Sequence, residues 1–148
     1  MEHNIVDILL VEDRPEDAEL SIMGLKAHNL INNIEWVKDG EEALEYIFAE
    51  GRYKDRNIED KPKLILLDLH MPKVNGLEVL KAVKKDDRVK HIPIIILTTS
   101  KEEQDLIDAY NLNVNAYMLK PVGFDGFVEA MKTMGMFWVL LNQRPDQN

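Results

Sequence analysis

Cysteine is missing altogether from these 148 residues. That excludes disulfides and thiolate metal sites, and it fits a reducing cytoplasm, where the protein is expected to reside. Basic charge is scarce: 18 lysines and arginines stand against 27 aspartates and glutamates, a net charge of -9. So acidic a chain lacks the basic face that nucleic-acid binding wants, and it has little attraction to anionic membranes. Long apolar runs are missing too. The longest are a few residues, far short of the ~20 needed to span a bilayer. The first residues show no basic segment followed by a long apolar stretch, so no secretory leader is expected. The four histidines, His3, His28, His70 and His91, are scattered at no ligand spacing and read as surface residues. There is no internal repeat, low-complexity tract or linker. What is there suits one domain: ordinary length and 45% hydrophobic residues, enough for one core.

The apolar residues come in two alternating patterns. Short runs predict strands at Ile5 to Val11, Ile34 to Val37, Lys63 to Leu67, Pro93 to Leu97 and Ala116 to Leu119. Three- and four-residue spacings predict helices between and after them. These are Pro15 to His28 (Ala18, Ile22 and Leu25 inward), Glu41 to Phe48 (Ala43, Leu44 and Ile47 inward), Leu77 to Lys84 (Leu77, Leu80 and Val83 inward), Lys101 to Tyr110, and a long Phe124 to Leu141. Residues 49–62 show no period and read as a loop. Asn75-Gly76 reads as a turn before a helix, with Gly76 at positive φ. Five strands alternating with five helices predict an α/β fold, a doubly wound parallel sheet.

The chemistry gathers at strand ends. Leu64-Ile65-Leu66-Leu67 runs into Asp68, and Ile8-Leu9-Leu10-Val11 runs into Glu12-Asp13. The carboxyl ends of buried strands face the crevice where open α/β sheets bind ligands. If the two strands are neighbours, three carboxylates converge, and the cluster needs a cation or a proton. Each residue also has a bland reading. Glu12-Asp13 suits a helix cap and a charged first turn, and Asp68 suits a cap for the loop before Leu77. Thr98 suits a strand end, Tyr117 a half-buried core position, and Lys120 a solvated surface.

Taken together, five motifs in order resemble the receiver domain, the phosphoacceptor module of two-component response regulators. They are Glu12-Asp13 after the first strand, Asp68 in Leu-Leu-Asp-Leu-His-Met-Pro-Lys-Val-Asn-Gly, Thr98 after the fourth strand, Tyr117 in the fifth, and Lys120-Pro121 after it. The resemblance covers residues 5 to about 141 and implies a flavodoxin-like sheet of order 2-1-3-4-5. It also implies roles. Asp68 would be the phosphoacceptor. Asp13, Asp68 and the backbone carbonyl of His70 would ligate Mg²⁺, with Glu12 acting through water. Lys120, Thr98 and the N–H groups of Leu69 and Thr99 would cradle the phosphoryl oxygens. Thr98 and Tyr117 would form a switch, and Lys120-Pro121 a cis bond. The partner implied is a sensor histidine kinase docking near Arg14, Pro15 and Ala18.

Two features resemble the stand-alone regulators associated with cyanobacterial phytochromes: the long 49–62 segment with Glu50-Gly51-Arg52-Tyr53, and the final helix with Phe137-Trp138. That implies a light-sensing kinase among the candidate partners, and a homodimer. Phe124, Phe127, Val128, Met131, Met134, Gly135, Trp138 and Leu141 share one stripe of the expected last helix. Met136, Phe137, Val139 and Leu140 are apolar on other faces. They suit either a two-fold interface built from the last two helices and last strand, or a helix end folded back on the protein. The leading expectation is one receiver domain over residues 1–148 with no output domain, self-catalysing its phosphorylation and hydrolysis rather than acting as an enzyme. A constitutive docking module has no need of Asp13, Asp68, Thr98 and Lys120. A phosphatase of the haloacid-dehalogenase type wants a second Asp at position 70, where His70 stands, and a cap domain.

Overall fold

A computed structural model describes residues 7–27, 33–69, 71, 74–98, 101, 105, 107, 108, 112, 114–120 and 122–136. Strands β1 (Ile8–Val11), β2 (Ile34–Val37), β3 (Leu64–Asp68), β4 (Ile94–Thr98) and β5 (Ala116–Leu119) form one sheet. Its order is β2-β1-β3-β4-β5, as the resemblance implied. All pairings are parallel. β1, β3 and β4 are buried along their whole length. Continuous apolar runs rather than alternation follow from that, because helices cover both faces.

Alternation appears instead in which face each residue serves. Leu9, Val11, Ile65, Leu67, Ile94 and Ile96 pack with α2 (Gly40–Phe48) and α3 (Gly76–Lys85). Ile8, Leu10, Leu64, Leu66, Ile95 and Leu97 pack with α1 (Pro15–Lys26) and α4 (Phe124–Thr133). Pro15 opens α1, where its missing N–H costs nothing. Asp39 and Asn75 cap α2 and α3 by accepting from the N–H groups of Glu42 and Glu78 at 2.8 and 3.0 Å.

The structure corrects four expectations. Four α-helices occur among the described residues, not five; the one expected over Lys101 to Tyr110 falls largely outside them. The last helix ends at Thr133 rather than Leu141. Gly135 turns into the left-handed region at φ 69°. Met136 N–H then donates to Met131 O at 2.8 Å, and Gly135 N–H to Lys132 O at 3.1 Å. This glycine-closed helix end buries Met136 beside Met131. Met134 and Gly135 thus leave the helical stripe, and residues 137–141 lie outside the described ones. Gly76 opens α3 without a positive φ. Space makes it a glycine: a Cβ there would lie 2.3 Å from Asp68 O.

Finally, the 49–62 segment contains a 3-10 turn, Gly51–Tyr53, and is tied to α2. The Arg56 guanidinium lies 3.9 Å from the Tyr46 ring centroid. It donates to Tyr46 O and, at 2.7 Å, to Asp60 O. Tyr53 donates to Glu42 Oε2 at 2.6 Å and packs edge-on against Tyr46.

Candidate functional site

Register brings the acids together. Val11 pairs with Leu67, so the residues that follow, Glu12 and Asp68, leave adjacent strands side by side. One carboxylate oxygen from each of Glu12, Asp13 and Asp68 lies within 4.8 Å of the others. Glu12 and Asp68 are buried and Asp13 is half-buried. Lys120 reaches in from the end of β5. Its ammonium donates to Asp68 Oδ2 at 3.1 Å and to Glu12 Oε2 at 3.3 Å. Thr98, buried at the end of β4, accepts the Lys120 N–H at its carbonyl, 3.3 Å away. Four of the expected site residues and the lysine loop thus meet at one end of the sheet.

The electrostatics follow from burial. Glu12 is pushed up to about 7, first by burial and then by the hydrogen bond and charge of Asp68. Burial also works against the charged form of Lys120, but the carboxylates of Asp68 and Glu12 outweigh it and raise its pKa. Lys120 Nζ also lies 3.1 Å from Glu12 Oε1. That contact is an ion pair without hydrogen-bond geometry: Glu12 Oε1 and Asp13 Oδ1 are buried and accept no hydrogen bond among the described residues. Buried carboxylate oxygens left in this state cost free energy. A hard divalent cation with oxygen ligands answers that need, so the residues fit one.

Other expected residues stand as follows. Leu69 is buried directly after Asp68. Tyr117 is half-buried, packed against the α2/α3 side of the core. Its hydroxyl donates to Asp108 Oδ1 at 3.0 Å. Burial and that carboxylate push the phenol up to about 12. His70, Thr99 and Pro121 lie outside the described residues, and with them the expected His70 carbonyl ligand, the Thr99 N–H and the cis Lys120-Pro121 bond.

Sequence reasoning missed two partners of the site. Trp36 on β2 donates its indole N–H to Glu12 O at 2.7 Å, fixing the backbone that carries the acidic pair. Asp17 on α1 lies 3.3 Å from Lys120 Nζ. A signal for Asp17 existed: with Ser21 and Gly24 it forms a polar, small stripe at helical spacing beside Ala18 and Leu25.

A family model described as "Response regulator receiver domain" matches residues 8–132. The chain belongs to that family. This receiver is similar to the bacteriophytochrome response regulator AtBRR, with 47% identity and a TM-score of 0.81, covering 92% of this chain and 96% of that one. It is 36% identical to the response regulator Rcp1 of Synechocystis over 132 residues, 89% of this chain and 88% of the relative. A solved Rcp1 structure is of the Mn²⁺-bound form, with a TM-score of 0.70. It covers 89% of this chain and 93% of that one. The phosphorylated cyanobacterial phytochrome response regulator RcpA aligns at 36% identity and a TM-score of 0.72, covering 94% and 97% of the two chains. The receiver is thus a response regulator of the phytochrome-response type.

Proposed function

We propose that this receiver is a stand-alone phosphoacceptor: a sensor histidine kinase transfers a phosphoryl group to Asp68, and the change is read by protein contacts. The observation that carries this is the Asp68 carboxylate, buried at a strand end between two further acids and hydrogen-bonded to Lys120. In the transfer, an Asp68 carboxylate oxygen attacks phosphorus in line. The new O–P bond forms as the phosphohistidine N–P bond breaks, and the imidazole nitrogen keeps the electron pair. Lys120 meets the phosphoryl charge, and Thr98 would donate a hydrogen bond to one of its oxygens. Glu12, Asp13 and Asp68, with the His70 carbonyl, would hold Mg²⁺, which neutralises the acids and the phosphoryl group when bound. The N–H groups of Leu69 and Thr99 complete the proposed cradle.

Signalling then follows from a local charge event biasing a two-state element. Thr98 moves toward the phosphoryl oxygens, and Tyr117 turns inward, giving up its hydrogen bond to Asp108. A phytochrome-type kinase is the favoured partner, since AtBRR is a bacteriophytochrome response regulator and RcpA a cyanobacterial phytochrome response regulator. The chain acts as one domain, and its last two helices and last strand are the proposed homodimer face, to be read as a rise in sedimenting mass under beryllofluoride.

The deciding experiment is incubation with acetyl phosphate, with and without Mg²⁺. Wild type should gain one phosphoryl mass only with Mg²⁺, and Asp68→Asn should gain none. Equal uptake by Asp68→Asn would remove Asp68 from this role. A constitutive docking module would show no uptake at all.

A further inference from the structure

The face of α1 that meets the lysine loop is unlike its other faces. Three residues at helical spacing follow the loop in order. Asp17 Oδ2 lies 3.3 Å from Lys120 Nζ. Ser21 Oγ accepts the Val122 N–H at 3.3 Å in a buried contact. Gly24 lies so close that an added Cβ would sit 2.4 Å from Val122 O. The helix is therefore clamped to the chain that carries the site lysine, and its first turn places a third carboxylate against the ammonium.

These three acids are not equivalent. Glu12 and Asp68 are buried, and Lys120 donates hydrogen bonds to both. The Asp17 side chain is 26% exposed, and its contact with the ammonium is an ion pair. Asp17 also has a second cation near it, Arg14 Nε at 3.7 Å. An ammonium has three N–H donors, and an arriving phosphoryl oxygen needs one of them. The acceptor that yields most readily is the one already wetted and already supplied with another cation. By the same geometry, a single ammonium joins Asp17 to the Asp68 carboxylate, at 3.3 and 3.1 Å.

We propose that Asp17 is a positioning residue for Lys120 that competes with the phosphoryl group. It holds the lysine in the resting state, must release it when Asp68 is modified, and so slows phosphorylation. This rests on Asp68 being the phosphoacceptor. With acetyl phosphate the balance is simple. The Asp68 oxygen forms the new O–P bond, the acetyl C–O–P linkage breaks at phosphorus, and acetate leaves with the electron pair. No proton moves.

The test compares Asp17→Asn with Glu16→Gln. Glu16 is an exposed acid in the same first turn, so both changes remove one charge and one favourable helix-dipole contact. Asp17→Asn should take up phosphoryl roughly three- to tenfold faster than wild type, the effect of removing one unit charge near the reacting group. Glu16→Gln should stay within about twofold, because its charge is screened by solvent. Asp17→Glu, which keeps the charge, should remain close to wild type. In the metal-free protein, the Lys120 ¹⁵Nζ resonance should shift in Asp17→Asn and stay in place in Glu16→Gln. That readout needs no phosphoryl donor. An unchanged or slower Asp17→Asn beside an active wild type overturns the competitor role alone, as does equal acceleration by Glu16→Gln. A wild type inert to acetyl phosphate with Mg²⁺ overturns the reading of Asp68, and the competitor role with it.

Discussion

Glu12 shows how much one residue's surroundings decide. A glutamate in water has lost its proton well below neutrality, but here burial and then Asp68 push its pKa up to about 7. The sign of the consequence follows from proton counting. Between the unfolded value of 4.5 and the folded value of about 7, the folded protein binds more protons than the unfolded chain. Stability contributed by this group therefore falls as pH rises through that window, in the absence of metal. Glu12→Gln removes the titration. The stability difference, Glu12→Gln minus wild type, should grow by on the order of 1–3 kcal/mol between pH 4.5 and 8 in chelator. Denaturant titrations at several pH values would measure it, and a flat difference would show that Glu12 titrates normally. The same residue scale explains what was hard to read. Asp17 is an acid in the first turn of a helix, where helix-dipole attraction is reason enough for it. Beyond the small polar stripe it shares with Ser21 and Gly24, nothing local separates that role from contact with a lysine 103 positions later, the separation of Asp17 and Lys120.

At the scale of elements, caps and ends were partly legible. Pro15 and the Asn75-Gly76 turn mark helix starts by their own chemistry, and α1 and α3 begin there, while the cap of α2 by Asp39 is seen only in the structure. Helix ends were less so. The apolar residues after Thr133 extend the helical pattern on paper, yet Gly135 and the burial of Met136 end the helix first. Ala49 shows the same geometry without the suitable residue: it sits at φ 55°, and Glu50 N–H donates to Glu45 O at 2.9 Å. A Cβ in the left-handed region carries strain that glycine does not. Ala49→Gly should therefore stabilise the protein, by about 0.5–1 kcal/mol after the larger unfolded-state entropy of glycine is subtracted. A rise in the urea midpoint with unchanged slope is the expected result, and a fall would mean that the Ala49 side chain contributes packing that outweighs its strain.

For the whole molecule, site and stability are linked, because two carboxylate oxygens of the cluster that fits a cation, Glu12 Oε1 and Asp13 Oδ1, are buried without a hydrogen bond among the described residues. An ion that binds only the folded state stabilises it by mass action, about 2.7 kcal/mol at a hundredfold excess over Kd. For a protein of this size that is roughly a 5–10 °C rise in Tm. Mg²⁺ should produce such a rise in wild type, and excess chelator should reverse it. Asp13→Asn should lose most of it while melting cooperatively, because Asp13 is only half-buried and the substitution keeps its size. Calorimetry with and without Mg²⁺ decides this, and an equal rise in Asp13→Asn would place the ion elsewhere.

By itself the sequence determined the strands, the helix starts and the residue types of the site, because periodicity, caps and apolar runs are local properties of a chain. Asp68 and Glu12-Asp13 were legible because they end buried apolar runs, and strand ends in such sheets face one crevice, while Thr98 and Lys120 were legible through the order of motifs that the receiver resemblance carries. The tertiary structure decided what depends on distance through space. It set the parallel register that puts Glu12 beside Asp68, and it ended the last helix at Thr133. Only there did the Trp36 hydrogen bond to Glu12 appear, and with it the placement of Asp17 against Lys120. Such contacts join residues far apart in the chain, and the packing of helices onto the sheet, not any local preference, brings them within reach.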